Sequence, residues 1–290
     1  MREDRRIKIL IVGVPKSGTT ILVHRVAGGF PGCHAITGGE PQTVDNSDKT
    51  HFVQKFTYME EKNRGEGAMH EHLARSAYDR KIWIARDPRD IAVSDLLFRW
   101  FRGHKKNPRG YRAFISLLSR KESDPGSVAF HELFRHFGHI LEPLTNEQLV
   151  ERERRSYLSV SSFVAGFDDD WFMFKYEDMI AGLYSDLNRF LGFDVALDAS
   201  VLEVQEQVVR RRASGDWRDW FTTEDVEMFK PVYDPYLRQV GYDPEDWCLN
   251  PNQEIDPHYS SEYVKSLPAK LLKQSGGGRK NRILRLLGRA

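Results

Sequence analysis

Cysteine is almost absent from this chain of 290 residues, which contains only Cys33 and Cys248, far apart in sequence. Such a pair gives neither a disulfide framework nor a cysteine-based metal site. No charge of one sign dominates either, because 43 Lys and Arg stand against 42 Asp and Glu. The composition therefore gives no reason to expect nucleic acid or an acidic membrane as a partner of the whole chain.

Long apolar runs are also missing, and none approaches the roughly 20 residues that span a bilayer. The apolar run Ile7 to Val12 is too short for a secretory signal, and no small-residue cleavage site follows it. We therefore expect a cytoplasmic protein, and the scarcity of cysteine agrees with a reducing compartment. With 40% hydrophobic and 29% charged residues, the chain has the composition of a folded protein.

Apolar segments that alternate with helical patterns indicate an α/β fold. The patterns predict strands at 7–12, 81–85 and 171–175, helices at 19–27, 91–101, 131–165 and 183–191, and a loop at 31–50. This alternation predicts a three-layer α/β/α arrangement with a central parallel sheet and helices on both of its faces. We expect a single domain over residues 1–268.

The segment 269–290 differs from the rest of the chain, since it carries seven Lys or Arg, no acid and three consecutive glycines. Two interpretations stay open for this basic tail. It is either a flexible, solvated extension or a short helix that docks on an anionic surface or a partner.

The stretch VGVPKSGTT, residues 12–20, joins the first predicted strand to the first predicted helix. A glycine-rich loop in this position points backbone N–H groups at an anion, and the helix N-terminus adds about half a positive charge. In ATP-binding loops a lysine directly follows the second glycine. Here Thr19 fills that position and Lys16 lies earlier, which favours a ligand with one 5'-phosphate and a single transferable group.

This loop resembles the 5'-phosphosulfate loop of sulfotransferases that use 3'-phosphoadenosine 5'-phosphosulfate (PAPS). Further motifs in the same order extend the resemblance over roughly residues 7–245, which implies the P-loop-containing NTPase-like sulfotransferase fold. It also implies transfer of a sulfuryl group from PAPS to a hydroxyl or amine of a carbohydrate or small-molecule acceptor, with release of the product PAP and no metal. The residues that would hold the phosphosulfate are Pro15, Lys16, Ser17, Gly18, Thr19 and Thr20.

Two further motifs follow predicted strands. Arg86, in RDPRD, stands where a guanidinium at a strand end can bind a phosphate, and Ser94 lies in the helix that follows. This segment is similar to the family's 3'-phosphate motif, in which Arg89 and Asp90 are expected to be structural or surface residues. Tyr176, in YED, matches the family position that contacts the adenine.

The segment RRRASGDW resembles the family loop that closes over the 3'-phosphate. Arg210 and Arg211 match its first two basic positions, and Gly215 matches a glycine near its end. Arg212 stands where the family has a glycine, which puts in doubt the backbone N–H contact at this point.

Lys16 is the best candidate for the cation that stabilises the transferring group. The base is less well defined. His51, in Lys49-Thr50-His51, resembles the catalytic histidine of cytosolic members and has a suitable pKa, while Glu40 is the alternative by analogy with carbohydrate-acting members, and another residue stays open. Lys49 or Lys55 is a candidate to assist Lys16. The resemblance also implies that Ser17 holds Lys16 off the phosphosulfate until acceptor binds.

Two other functions stay open. A P-loop nucleotide kinase or NTPase would need the lysine that Thr19 replaces. A non-catalytic protein that binds PAP or another nucleotide would keep the loop without a base. The sequence identifies neither the acceptor nor the oligomeric state, and a homodimer is compatible with it.

Overall fold

The structure is a computed structural model that describes residues 7–37, 51–59, 65–75, 77–100, 107–136, 142–198, 210 and 213–267. These residues fold into two compact units. Unit 1 comprises the described residues up to Arg86 and those of 162–198, and unit 2 comprises the described residues of 87–161 and 210–267. The single domain over 1–268 stays a prediction, and the basic tail lies outside the described residues.

The described helices are numbered in chain order. They are α1 (Thr19–Gly28), α2 (Glu66–Arg75), α3 (Pro88–Phe98), α4 (Pro108–Ser123), α5 (Phe130–Phe134), α6 (Asn146–Ala165), α7 (Tyr176–Ala181), α8 (Ser185–Leu191), α9 (Trp217–Trp220) and α10 (Thr223–Gln239). A 3-10 turn over Pro257–Tyr259 and a helical stretch over 261–267 follow.

Unit 1 is built on a five-stranded parallel sheet with the order β2-β3-β1-β4-β5. Its strands are β1 (Lys8–Gly13), β2 (Cys33–Ile36), β3 (His51–Thr57), β4 (Arg80–Ala85) and β5 (Trp171–Lys175). Because every pairing is parallel, the carboxyl ends of all five strands share one edge, which we call the carboxyl edge.

Helices cover both faces of this sheet. On one face, Ile11 and Ile84 pack in a buried core with residues of α1, α7 and α8, such as Val23 and Leu187. On the other face, Phe56 contacts His72 of α2 and Trp83 contacts Phe163 in the last turn of α6. These two layers on a central parallel sheet confirm the predicted three-layer fold.

Unit 2 is held together around the carboxylate of Asp225, which is completely buried near the start of α10. It accepts hydrogen bonds from the backbone N–H groups of Phe130 and His131 at 2.7 and 2.8 Å, and from the N–H and hydroxyl of Thr222 at 2.8 Å each. Its Oδ1 also lies 2.8 Å from His131 Nδ1. One carboxylate thereby joins the N-terminal ends of α5 and α10.

The His131–Asp225 pair should make the stability of the protein depend on pH. Burial lowers the pKa of His131, but the hydrogen bond and the charge of Asp225 outweigh that effect, and the pKa is raised. A raised pKa in the folded state means that the stabilisation is complete below the unfolded value of about 6.5 and is lost as the pH rises through the folded value. We expect His131→Gln to cost about 1 kcal/mol more at pH 6 than at pH 8, measured by urea unfolding.

The matched control for this experiment is His258→Gln, because the His258 side chain is largely exposed and its replacement should cost little at either pH. A cost of His131→Gln that is the same at both pH values would contradict the assignment.

Candidate active site

The loop from Val14 to Gly18 connects β1 to α1 at the carboxyl edge and contains two left-handed residues. Lys16 has φ 70° and Gly18 has φ 93°. Lys16 is the only non-glycine with positive φ in the described part of the chain, and this conformation costs a non-glycine residue roughly 1–2 kcal/mol. Backbone that alternates in this way forms the concave array of N–H groups that binds anions.

Helix α1 begins at Thr19 without a cap. Its N-cap residue is Gly18, which has no side chain to cap the first N–H groups, and the first turn contains no acidic residue. The first N–H groups of a helix have no partner within the helix, and the helix dipole adds positive potential there. The end of the loop therefore has the properties of an anion-binding site.

Gly18 allows α7 to pack directly against the loop. A Cβ at this position would lie 2.7 Å from the ring of Tyr176 and 2.9 Å from Met179 Cε. The glycine is thus required both by its positive φ and by the space that the Tyr176 ring occupies.

We expect Gly18→Ala to lower the free energy of unfolding by about 2 kcal/mol, through backbone strain and the contact with Tyr176. Gly182→Ala is the matched control, because Gly182 has φ 75° but nothing within 4 Å of a Cβ. Urea unfolding of the two variants separates the contact from the strain. Equal losses would contradict a close packing of α7 on the loop.

Ser17 closes the loop from within. It is completely buried, its hydroxyl donates to the carbonyl of Val14 at 2.8 Å, and its N–H donates to the same oxygen at 3.2 Å. A hydroxyl has one hydrogen, which is used within the loop in this geometry, so the contact of Ser17 with the phosphosulfate stays a prediction. Ser17 fixes the turn that precedes α1.

Lys55 brings a second ammonium group to the first turn of α1. Its Nζ donates to Thr20 Oγ1 at 3.0 Å, and its backbone pairs with Ile11 in the neighbouring strand β1. Of the two lysines considered as assistants to Lys16, the structure brings Lys55 to the loop, whereas Lys49 lies outside the described residues. Thr19 is buried and Pro15 is half-buried in the same turn.

Arg86 and Tyr176 pack against the loop. The Nη1 of Arg86 donates to the carbonyl oxygen of Lys16 at 2.7 Å, and its guanidinium carbon lies 4.1 Å from the centre of the Tyr176 ring. Both side chains are buried, with 5% and 4% of their surface exposed. These contacts engage both residues with the loop, while the predicted contacts of Arg86 with a 3'-phosphate and of Tyr176 with adenine stay predictions.

The structure does not bring His51 to the loop. His51 opens β3, where its Nδ1 accepts a hydrogen bond from the N–H of Ile7 at 3.0 Å and its ring lies 4.5 Å from that of Phe30. In the parallel register, Thr57 at the other end of β3 pairs with Gly13. His51 is therefore at the opposite edge, roughly 20 Å of strand away, and this geometry weighs against its prediction as the base. Glu40 lies outside the described residues.

The predicted 3'-phosphate ligands in unit 2 have partners of their own. The N–H of Gly215 donates to Asp90 Oδ2 at 2.6 Å, and that of Trp217 donates to Asp90 Oδ1 at 3.1 Å. Asp90 is thus a structural residue of the GDW turn, and the N–H of Gly215 points to a carboxylate.

Arg210 forms an ion pair with Asp216 and also donates to the carbonyl of Tyr259 at 3.3 Å. Ser94 lies in α3 with 9% of its surface exposed, and Arg211 lies outside the described residues. The assignment of these three residues to a 3'-phosphate site stays a prediction.

Comparison with known proteins identifies the family to which the chain belongs. The sulfotransferase domain family matches residues 6–151, about half of the chain. The chain belongs to the sulfotransferase family. This confirms the resemblance that PKSGTT and the later motifs suggested.

Relatives of this sulfotransferase include Sulfotransferase 2A1 of Rattus norvegicus, 23% identical over 278 residues that cover 81% of this chain and 86% of the relative. Sulfotransferase 2B1 of Mus musculus is 22% identical over 260 residues, which cover 82% and 73%. Among solved structures, mouse sulfotransferase SULT7A1 complexed with PAP has a TM-score of 0.42 at 16% identity and covers 81% of this chain and 85% of that one.

The described residues of the sulfotransferase contain no group of three or more His, Cys, Asp or Glu side chains arranged to hold a metal ion. No helix among them combines the length and the apolar character needed to cross a membrane.

Proposed function

We propose that this sulfotransferase moves the sulfuryl group of PAPS to a hydroxyl or amine of a carbohydrate or small-molecule acceptor and releases PAP. The observation that carries the proposal is the uncapped start of α1 behind a left-handed turn at Lys16. N–H groups, the Thr20 hydroxyl and the Lys55 ammonium lie there, Lys16 belongs to the same loop, and the first turn has no carboxylate to repel an anion. This donor set fits a 5'-phosphosulfate.

The residues of the loop have separate roles in this proposal. The N–H groups at the start of α1 bind the non-transferring oxygens and hold the phosphosulfate in line with the acceptor. Lys16 neutralises the charge that develops on the leaving phosphate. Stabilisation of such charge in the transition state is usually the largest single contribution to catalysis. Lys55, next to Thr20, adds positive potential to the same place. PAPS itself supplies the activated sulfuryl group.

Two other functions have to be compared with this proposal. One is a nucleotide kinase or NTPase, and the other is a non-catalytic protein that binds PAP. Thr19 in place of the ATP-loop lysine argues against the former. The position of His51 at the edge opposite the loop keeps the latter in the comparison, because such a protein would bind PAP without a base.

Thermal unfolding with PAP, PAPS, ATP–magnesium and GTP–magnesium separates these functions. At a hundredfold excess over Kd, a ligand stabilises by about 2.7 kcal/mol, so we expect PAP to raise Tm by about 5 °C or more. Stabilisation by ATP–magnesium and not by PAP would overturn the proposal. Transfer of labelled sulfate from PAPS to pools of carbohydrate and small-molecule acceptors then tests catalysis, and PAP binding without transfer to either pool would favour the non-catalytic protein.

A further inference from the structure

We propose that Arg89 is a positioning residue for the 3'-phosphate of the nucleotide. Its guanidinium packs against the rings of Trp217 and Trp247 and thereby fixes the GDW turn, residues 215–217. The inference rests on the proposed function, because it concerns the binding of PAPS and PAP. It gives a specific role to a residue that the sequence assigns only to the structure or the surface.

Protein groups engage the Arg89 guanidinium along its edge. Only 2% of the residue is exposed. Its Nε donates to Asp87 Oδ1 at 2.9 Å and its Nη2 donates to Asp87 Oδ2 at 2.7 Å, a bidentate pairing that adds geometric specificity to the ion pair. Its Nη1 donates to the carbonyl of Asp246. The guanidinium is therefore held in one orientation, and its influence on a ligand is exerted through its neighbours.

Two tryptophan rings pack against this guanidinium. The guanidinium carbon lies 4.0 Å from the centre of the Trp217 ring and 4.6 Å from that of Trp247. Both tryptophans are buried, and cation–π contacts are strongest with tryptophan and where water is excluded. Trp247 Nε1 donates to Asp234 Oδ1 of α10 at 2.9 Å. Arg89 thus connects the ring of Trp217 to α3 and, through Trp247, to α10.

Asp90, the residue that follows Arg89, holds the backbone of the same turn. Its carboxylate accepts the N–H groups of Gly215 and Trp217. Gly215 has φ 81°, a conformation that glycine adopts at no steric cost. The first turn of α3 therefore fixes the GDW turn twice, by its backbone through Asp90 and by its ring through Arg89.

The middle residue of the turn, Asp216, places Arg210. The two form an ion pair in which 8% of the Arg210 side chain and 9% of the Asp216 side chain are exposed. Arg210 matches the first basic position of the family loop that closes over the 3'-phosphate. A displacement of Trp217 would move Asp216 and, with it, the guanidinium of Arg210. The influence of Arg89 should therefore be confined to the affinity for the 3'-phosphate.

Two nucleotides that differ by this phosphate distinguish positioning from a purely structural role. PAP carries both a 3'-phosphate and a 5'-phosphate, whereas adenosine 5'-monophosphate (AMP) carries only the latter. A residue that only stabilises the fold would change the free energy of unfolding, but it would change the Kd values of both nucleotides equally or not at all. A residue that positions the 3'-phosphate site would change the ratio of the two Kd values.

The first test measures both Kd values for Arg89→Lys by calorimetry. Lysine keeps a positive charge beside Asp87 but lacks the planar fork that stacks on rings. We expect Kd for PAP to rise about tenfold, the loss of roughly one hydrogen bond to a charged group, and Kd for AMP to stay within about twofold.

Arg99→Lys is the matched control. Arg99 caps the other end of α3, where it forms an ion pair with Asp95 and lies 4.6 Å from the centre of the Phe134 ring. Its replacement should leave both Kd values unchanged. An unchanged Kd for PAP in Arg89→Lys, or an equal rise for PAP and AMP, would overturn the inference.

Two variants of Trp247 keep the inference testable if Arg89→Lys does not fold. Trp247→Leu removes the second ring that packs against Arg89 and should raise Kd for PAP about tenfold. Trp247→Phe keeps an aromatic ring and should raise it less than about threefold. Equal Kd values for PAP in these two variants would count against the inference.

Hydrogen–deuterium exchange of the ligand-free protein separates this inference from the proposed function. We expect peptides covering residues 213–220 to exchange about tenfold faster in Arg89→Lys than in wild type, and at the wild-type rate in Arg99→Lys. If the wild type bound no PAP while this exchange still depended on Arg89, the proposed function would fail and the fixing of the turn would stand. Unchanged exchange in Arg89→Lys would refute the inference whatever the protein binds.

Discussion

Replacing Lys16 with methionine is expected to lower kcat for sulfuryl transfer by about a thousandfold. Removal of one preorganised group that stabilises developing charge typically costs 10²–10³-fold in kcat, and Lys16 is an ammonium in the loop that leads to the uncapped end of α1. Methionine keeps the length of the side chain and takes away its charge. The fold should persist, because Lys16 is only half-buried and its backbone contacts remain.

Transfer of labelled sulfate from PAPS measures this loss, and unfolding by urea checks the fold. Lys81→Met is the matched control, because Lys81 lies near the amino end of β4, where it pairs with Asp168 and Asp170 at 3.4 and 3.6 Å. It should leave kcat unchanged. If the Lys16 variant retained kcat within threefold, Lys16 would not be the catalytic cation.

The second large effect concerns the catalytic base. We expect Glu40→Gln to lower kcat by at least a hundredfold, and His51→Ala to lower kcat by less than threefold. General acid–base catalysis contributes about 10²–10⁴-fold. β2 ends at Ile36 on the carboxyl edge, and Glu40 comes four residues later in the sequence. His51 begins β3 at the other edge.

The pair of variants also differs in its expected effect on stability. His51→Ala removes the acceptor of the Ile7 N–H and should lower the free energy of unfolding by about 1–2 kcal/mol, whereas His34→Ala, at an exposed position of β2, should cost little. A hundredfold loss of kcat in His51→Ala, with PAP binding retained, would restore His51 as the base. Full activity of Glu40→Gln would remove Glu40.

Sequence patterns located the parts of the sheet that surround the loop. The apolar run at 171–175 forms β5 with the same bounds, and the helix predicted at 183–191 ends at Leu191, where Gly192 caps α8 in the left-handed conformation. The loop at 14–18 is predicted as a phosphate site because its glycine, lysine and hydroxyl residues lie close together in the sequence. Local chemistry of this kind can be read without knowledge of tertiary contacts.

Strands β2 and β3 and helix α2 were not predicted, because their signals are weak locally. β3 carries Gln54 and Lys55 within its apolar pattern, and both find partners only in the fold: Gln54 accepts from Tyr78 at 2.6 Å, and Lys55 donates to Thr20. The assignment of His51 depended on the same missing strand. The segment Lys-Thr-His matches a motif, but the register of β3 with β1 decides which edge of the sheet His51 occupies.

The pairing order of the sheet has a consequence for access to the ligand. From β1 the chain winds toward β3 and β2, while from β4 it winds toward β5 on the other side. The winding therefore reverses between the adjacent ends of β1 and β4, and such a switch point leaves a crevice that ligands of open α/β sheets occupy. The topology therefore predicts this crevice at the ends of β1 and β4, next to Gly13 and Ala85, where the loop and Arg86 follow in the sequence. The order of the strands thus sets the position of the predicted crevice. A mutation within the loop should change which ligand binds, but not the place on the sheet where the ligand binds.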